Sequence, residues 1–136
     1  MINRALIIPR HEKTWLTRQE RIKREGSEYF TWPVPAVAAS GIGSIEIAHQ
    51  FPRAKKYEPL DWIEIVNNDT VDVRLIINNG MTLPVLAGTI RTVDNAALWT
   101  IGIENLSATT AVTLLRIIVS LRRQPLTIDQ WARRGA

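Results

Sequence analysis

The sequence predicts an all-β fold, an antiparallel β-sandwich, on three observations. Residues 61–78 (DWIEIVNNDTVDVRLIIN) hold two strand-like runs in which Val71, Val73, Leu75 and Ile77 alternate with Asp72, Arg74, Ile76 and Asn78. That period of two lets one face be buried while the other stays largely wet. Turn signals then recur at roughly ten-residue spacing through the second half of the chain. No helical pattern lies between consecutive strand runs, which argues against a βαβ fold.

The central stretch reads as a hairpin. Asn67-Asn68-Asp69 supplies side chains that tolerate positive φ and bond their own backbone. Upstream, residues 1–9 read as extended and end at Pro9. Residues 11–25 are the best helix candidate: Thr17 and Glu20 have capping-box spacing, and Gly26 is placed to stop the helix. Its apolar stripe is only Trp15, Ile22 and, at the edge, Leu16, so this helix must dock on something. Residues 29–44 read as an irregular connector, because Pro33 and Pro35 remove backbone donors and Gly41 and Gly43 loosen the chain. Tyr29, Phe30, Trp32 and Val34 make that connector apolar enough to lie against a surface.

Ile45 and Ile47 alternate with Glu46 and Ala48, a short strand before the basic loop 52–57. After the central stretch, Asn78-Asn79-Gly80 is a second turn. Residues 83–93 form a further strand, with Pro84 setting it at an edge and Gly88 permitting a bulge. Asp94-Asn95 turns the chain again, and Trp99, Ile101 and Ile103 share one face of the next strand. Residues 107–110 lead into a last strand in which Leu115, Ile117, Val119 and Leu121 line one face, while Leu114, Arg116, Ile118 and Ser120 line the other. Thr127 and Gln130 again have capping-box spacing, and a short terminal helix carries Trp131. The expected organisation is an N-terminal arm over 1–40, a sandwich of jelly-roll or immunoglobulin-like type with about six to eight strands over 41–122, and a tail over 123–136.

Composition narrows the chemistry. At 136 residues the chain is one domain with arms, large enough to fold around its own core. It has no cysteine, which excludes disulfides, thiolate metal sites and a cysteine nucleophile. No apolar run approaches the ~20 residues that span a bilayer, and the apolar patch in residues 1–10 is too short for a secretory signal. The two histidines, His11 and His49, offer little. Glu46 and His49 have E-x-x-H spacing, but in a strand those positions point to opposite faces. Ser40 and Ser44 near His49 lack a nucleophile elbow, and Gly41-Ile42-Gly43 lacks the third glycine and the helix of a dinucleotide loop. Asp61, Glu64, Asp69 and Asp72 are better read as turn and solvent-facing residues than as a glycosidase pair. Asn67, Asn68 and Asp69 supply only part of a calcium shell. The sequons at Asn68 and Asn105 are read as chance matches. The expectation is a protein that is no enzyme and needs no cofactor or metal.

Charge and tryptophan point to partners instead. Residues 1–60 hold ten Lys/Arg against six Asp/Glu, residues 61–121 hold three against six, and residues 122–136 hold four against one. An acidic body with basic ends suits nucleic acid, an acidic protein surface or a neighbouring copy. Glu12, Glu20 and Glu25 are interleaved with the basic residues of the N-terminal arm, which weakens a phosphate footprint and favours a protein interface. Of five tryptophans, Trp62 and Trp99 follow the strand pattern and are expected in the core. Trp15, Trp32 and Trp131 fall in the arms, where a tryptophan anchors in a partner's pocket. The expected partner-binding set is Trp15, Arg18, Arg21, Lys23, Arg24, Trp32, Arg122, Arg123, Trp131, Arg133 and Arg134.

The runs WIEIVNNDTVDVRLIINNG, LPVLAGTIRTVDN and LWTIGIENLSATTAVTLLRIIVSL, over about residues 60–121, resemble small β-sandwich accessory proteins of bacteriophage particles. In that style a strand with Asn-rich turns precedes a P-x-x-AGT strand, then a strand, a Ser/Thr/Ala loop and a final strand. The resemblance implies a capsid decoration, minor capsid or tail protein, assembled in the host cytoplasm into the virion and binding other virion subunits and its own copies. It carries no catalytic residues. A carbohydrate- or receptor-binding module using exposed tryptophans is the alternative, and a nucleic-acid-binding protein using the basic ends is the third.

Overall fold

The computed structural model describes residues 25–125. Glu28–Arg123 is one compact unit; the other, Met1–Ser27 with Gln124–Ala136, lies almost wholly outside the described residues. So do the two expected terminal helices, except that Glu25 is helical and Gly26 follows it at φ 71, the left-handed stop that a helix end favours.

Among the described residues eight strands form two four-stranded sheets, and every strand pairing is antiparallel. The strands are β1 (Phe30–Pro33), β2 (Ile42–Glu46), β3 (Leu60–Asn67), β4 (Val73–Ile77), β5 (Met81–Val85), β6 (Ile90–Leu98), β7 (Thr100–Asn105) and β8 (Ile117–Arg122). A single helical turn, α1 (Ile47–Gln50), and a 3-10 segment, Pro52–Tyr57, follow β2. One sheet runs β1-β8-β3-β6 and the other β2-β7-β4-β5. The pairing is nested: β1 lies beside β8, β2 beside β7, β3 beside β6 and β4 beside β5.

The core lies between the sheets and is mostly aliphatic, with Phe30 and Trp32 added at β1. Period-two alternation places Ile63 and Ile65 of β3 and Ile117, Val119 and Leu121 of β8 on one inner face. Val73, Leu75 and Ile77 of β4 with Ile101 and Ile103 of β7 form the other. Each such side chain contributes on the order of 2 kcal/mol by leaving water. Gly43 serves the same packing: a Cβ there would stand 3.1 Å from Val37 Cγ2, so a larger residue would make that valine give by a few tenths of an ångström.

Several sequence expectations are corrected. Residues 61–78 are not a hairpin: β3 pairs with β6 and β8, β4 pairs with β5 and β7, and residues 68–72 carry the chain from one sheet to the other as an arch. The tight turn at Asn78-Asn79-Gly80 does close a hairpin, with Asn78 and Asn79 at φ 53 and 58 and Gly80 N–H donating to the Ile77 carbonyl at 3.0 Å. The expected strand 83–93 is two strands in different sheets, separated at Gly88 (φ 76). Pro84 does sit in an edge strand, where no neighbour asks for its missing donor. Asp94-Asn95 is not a turn but lies within β6, at a register shift opposite Leu60 and Trp62. Ile47 opens α1 rather than continuing a strand.

The sandwich also begins earlier than residue 41. Phe30 to Pro33 pair with Leu121 to Ile118, and Phe30, Trp32, Val34 and Val37 are buried in the core. Trp32 is therefore a core residue of the first strand and not a free anchor in an arm. Trp99, expected in the core, is 47% exposed, and Trp62 stands half-buried on the outer face of its sheet.

Candidate interaction surface

The strands have two ends. At one, the connections 34–41, 68–72, 86–89 and 106–116 come together, and they do so through two buried asparagines. Asn67 closes β3 and Asn105 closes β7; they are 0% and 1% exposed. Each uses its side-chain oxygen to accept the N–H two residues on, Asp69 at 3.0 Å and Ser107 at 2.9 Å respectively. Each spends both side-chain protons on backbone carbonyls. Asn67 Nδ2 donates to Val71 (2.9 Å) and Val85 (3.2 Å), and Asn105 Nδ2 donates to Val37 (3.2 Å) and Thr110 (2.8 Å). Four loops are thus tied to two strand ends by groups that water cannot reach. The sequon at Asn105 is correspondingly closed, because its amide nitrogen is already committed.

Two aspartates complete the hub. Asp69, also buried, accepts the N–H groups of Thr70 (2.7 Å) and Thr113 (2.6 Å), tying the arch to the β7–β8 connection. Asp72 accepts the Ala87 N–H at 2.8 Å through its side chain and the Leu106 N–H at 3.0 Å through its carbonyl. Between arch and β7–β8 connection lies an open depression of about 280 Å³ lined by Thr70, Val71, Asp72, Leu106, Ser107 and Thr110.

Around this polar hub the loops present leucines to solvent. Leu86, Ile90, Leu106, Leu114 and Leu115 are 56, 60, 40, 58 and 63% exposed, five of the nine large exposed hydrophobics among the described residues. Their placement follows from backbone bonds and register. Ile90 faces Val66 at the end of β3, and Leu86 opens the turn closed by Thr89 N–H. Leu106 hangs on Asp72, and Leu114-Leu115 caps a turn in which Arg116 N–H meets the Thr113 carbonyl at 3.2 Å.

Leu115 is the unusual member. It adopts φ 68 at the third position of that turn, a place that favours glycine. The neighbouring turn Leu86 to Thr89 uses Gly88 at the same position, with φ 76. A leucine there costs about 1 kcal/mol of backbone strain and recovers almost nothing by burial, since its side chain faces water.

Of the expected partner-binding residues, Trp15, Arg18, Arg21, Lys23, Arg24, Trp131, Arg133 and Arg134 lie outside the described residues. Arg122 sits at the opposite end of the sandwich. Its guanidinium covers the Tyr29 ring at 4.6 Å and donates to the Tyr29 hydroxyl at 2.8 Å, and that ring meets Trp62 edge-on at 5.7 Å. Arg123 donates to the Tyr57 carbonyl at 3.2 Å. Sequence reasoning missed the loop-end leucines because exposed Leu114 and Leu115 read as continuations of a strand pattern. The signal that could have found them was the double leucine separated by three residues from the Ser/Thr/Ala loop 107–110.

Among the described residues no three His, Asp or Glu side chains gather as a metal site would, and no helix is long and apolar enough to cross a membrane. No protein family, curated protein or solved structure matches the chain.

Proposed function

We propose that the chain is a non-enzymatic structural protein of a virus particle, a jelly-roll sandwich held to neighbouring subunits of a shell or tail. The nested strand order carries this reading. A long hairpin whose strands pair first with last, second with seventh, third with sixth and fourth with fifth, rolled into two sheets, is the jelly-roll arrangement, which viral capsid proteins share with lectins and cupins. An immunoglobulin-type sandwich sets its first strand beside its second, in one sheet. Fold alone does not choose among jelly-roll functions. The exposed apolar side chains at the loop end favour a protein that meets other proteins. The resemblance over about residues 60–121 points the same way. Density-gradient sedimentation of nuclease-treated, salt-washed particles tests it: the chain migrates with the particle band at a fixed ratio to the major structural protein.

A second reading, glycan or receptor binding, is favoured by Trp99. Asn78 Oδ1 accepts the Trp99 and Thr100 N–H groups at 2.8 and 3.2 Å, so an exposed indole is held at the end of the sandwich opposite the leucines. Under the structural reading Trp99→Ala leaves particle association unchanged. Loss of cell or glycan binding in that variant, with particle association intact, would transfer the role of Trp99 to recognition.

A further inference from the structure

We infer that the loop end is where two copies of this chain pair, with Leu114 and Leu115 as reciprocal anchors. The inference rests on the structural reading above and names its partner.

Three observations carry it. The first is the strained leucine. Turn geometry at Leu115 is that of a glycine position, and the adjacent turn fills the equivalent position with Gly88. A side chain kept there while 63% exposed has its use outside the monomer. The second is concentration: Leu86, Ile90, Leu106, Leu114 and Leu115 crowd one end on loops already fixed by Asn67, Asp69 and Asn105, so little order has to be created on binding.

The third is charge. Within the four connections the exposed charged residues are Asp72 and Arg116, since Asp69 is buried. Arg116 leads into β8 of one sheet, and Asp72 leads into β4 of the other. A two-fold axis across the strand ends and parallel to the sheets sets each copy's β1-β8-β3-β6 end over the other's β2-β7-β4-β5 end. That operation brings the sheet end bearing Arg116 over the sheet end bearing the second copy's Asp72, twice, around an apolar centre, as an isologous contact requires. Even with exposed Arg91, which follows Ile90 and donates to the Pro84 carbonyl at 3.4 Å, Arg116 makes no cluster of Lys and Arg such as a phosphate backbone or an anionic lipid surface selects.

The test is sedimentation equilibrium of the full chain from about 1 to about 100 µM, a range that spans micromolar association. The expected result is a reversible dimer. Leu115→Gly, which suits the turn and removes only the side chain, raises the dissociation constant at least tenfold without lowering the melting temperature of the dilute protein. Arg116→Glu weakens the dimer similarly. Asp72→Asn, which retains the oxygen that accepts the Ala87 N–H, weakens it in the same direction. A wild-type chain that stays monomeric at the top of this range, or a Leu115→Gly dimer as tight as wild type, overturns the inference. A monomer that still sediments with particles overturns this pairing alone, whereas a dimer absent from particles overturns the function proposed above and leaves the pairing standing.

Discussion

Asn67 concentrates more of the fold's specificity than any aliphatic residue around it. Its side chain is fully buried and makes three bonds that define where β3 stops, where the arch begins and where β5 ends. Replacing it with alanine leaves the Val71 and Val85 carbonyls and the Asp69 N–H without their partners, at a combined cost on the order of 3 kcal/mol. Asn67→Asp keeps the oxygen that accepts the Asp69 N–H but turns a second oxygen toward two carbonyls, so it costs at least as much. Chemical denaturation of both variants checks this. A midpoint within error of wild type for Asn67→Ala would mean that the hub does not hold the loops. The sequence did mark Asn67-Asn68-Asp69 as turn-forming. It could not mark Asn67 and Asn105 as a matched pair, because their common geometry appears only when the two sheets face each other.

At the scale of elements, the alternation over 71–78 and 117–121 was legible because a period of two is a local property, and it survives as buried Val73, Leu75, Ile77, Ile117, Val119 and Leu121. Pairing was not legible. Residues 68–72 contain good turn residues, yet nothing local distinguishes a turn that returns a strand to its own sheet from an arch that passes it to the facing one. The same limit hid β1, a four-residue strand between prolines and irregular chain, whose partner β8 lies some ninety residues on. Its burial yields a sharp expectation. A fragment of residues 28–123 melts cooperatively, whereas one of residues 40–122 does not. The shorter piece loses Phe30, Trp32, Val34 and Val37 from the core, on the order of 6 kcal/mol or more, within reach of a whole domain's stability. Calorimetry of the two fragments decides it, and a cooperative melt of the shorter one would return β1 to the status of a dispensable arm.

At the scale of the molecule, the nested pairing makes almost every strand contact among the described residues distant in sequence, with only β4 and β5 of these paired strands joined by a tight turn. Such a fold sets the start of β1 and the finish of β8 at one end of the sandwich and its apolar loops at the other. That polarity suits a subunit built into a larger shell or tail. The direct measurement is the fate of the chain in a density gradient of purified particles, with Leu114→Asp/Leu115→Asp as the companion variant. The wild-type chain is expected to band with particles at a fixed stoichiometry after nuclease and salt treatment. The folded double variant is expected to band at a much reduced ratio. Wild-type protein recovered only at the top of the gradient, among free proteins, would contradict the proposed function.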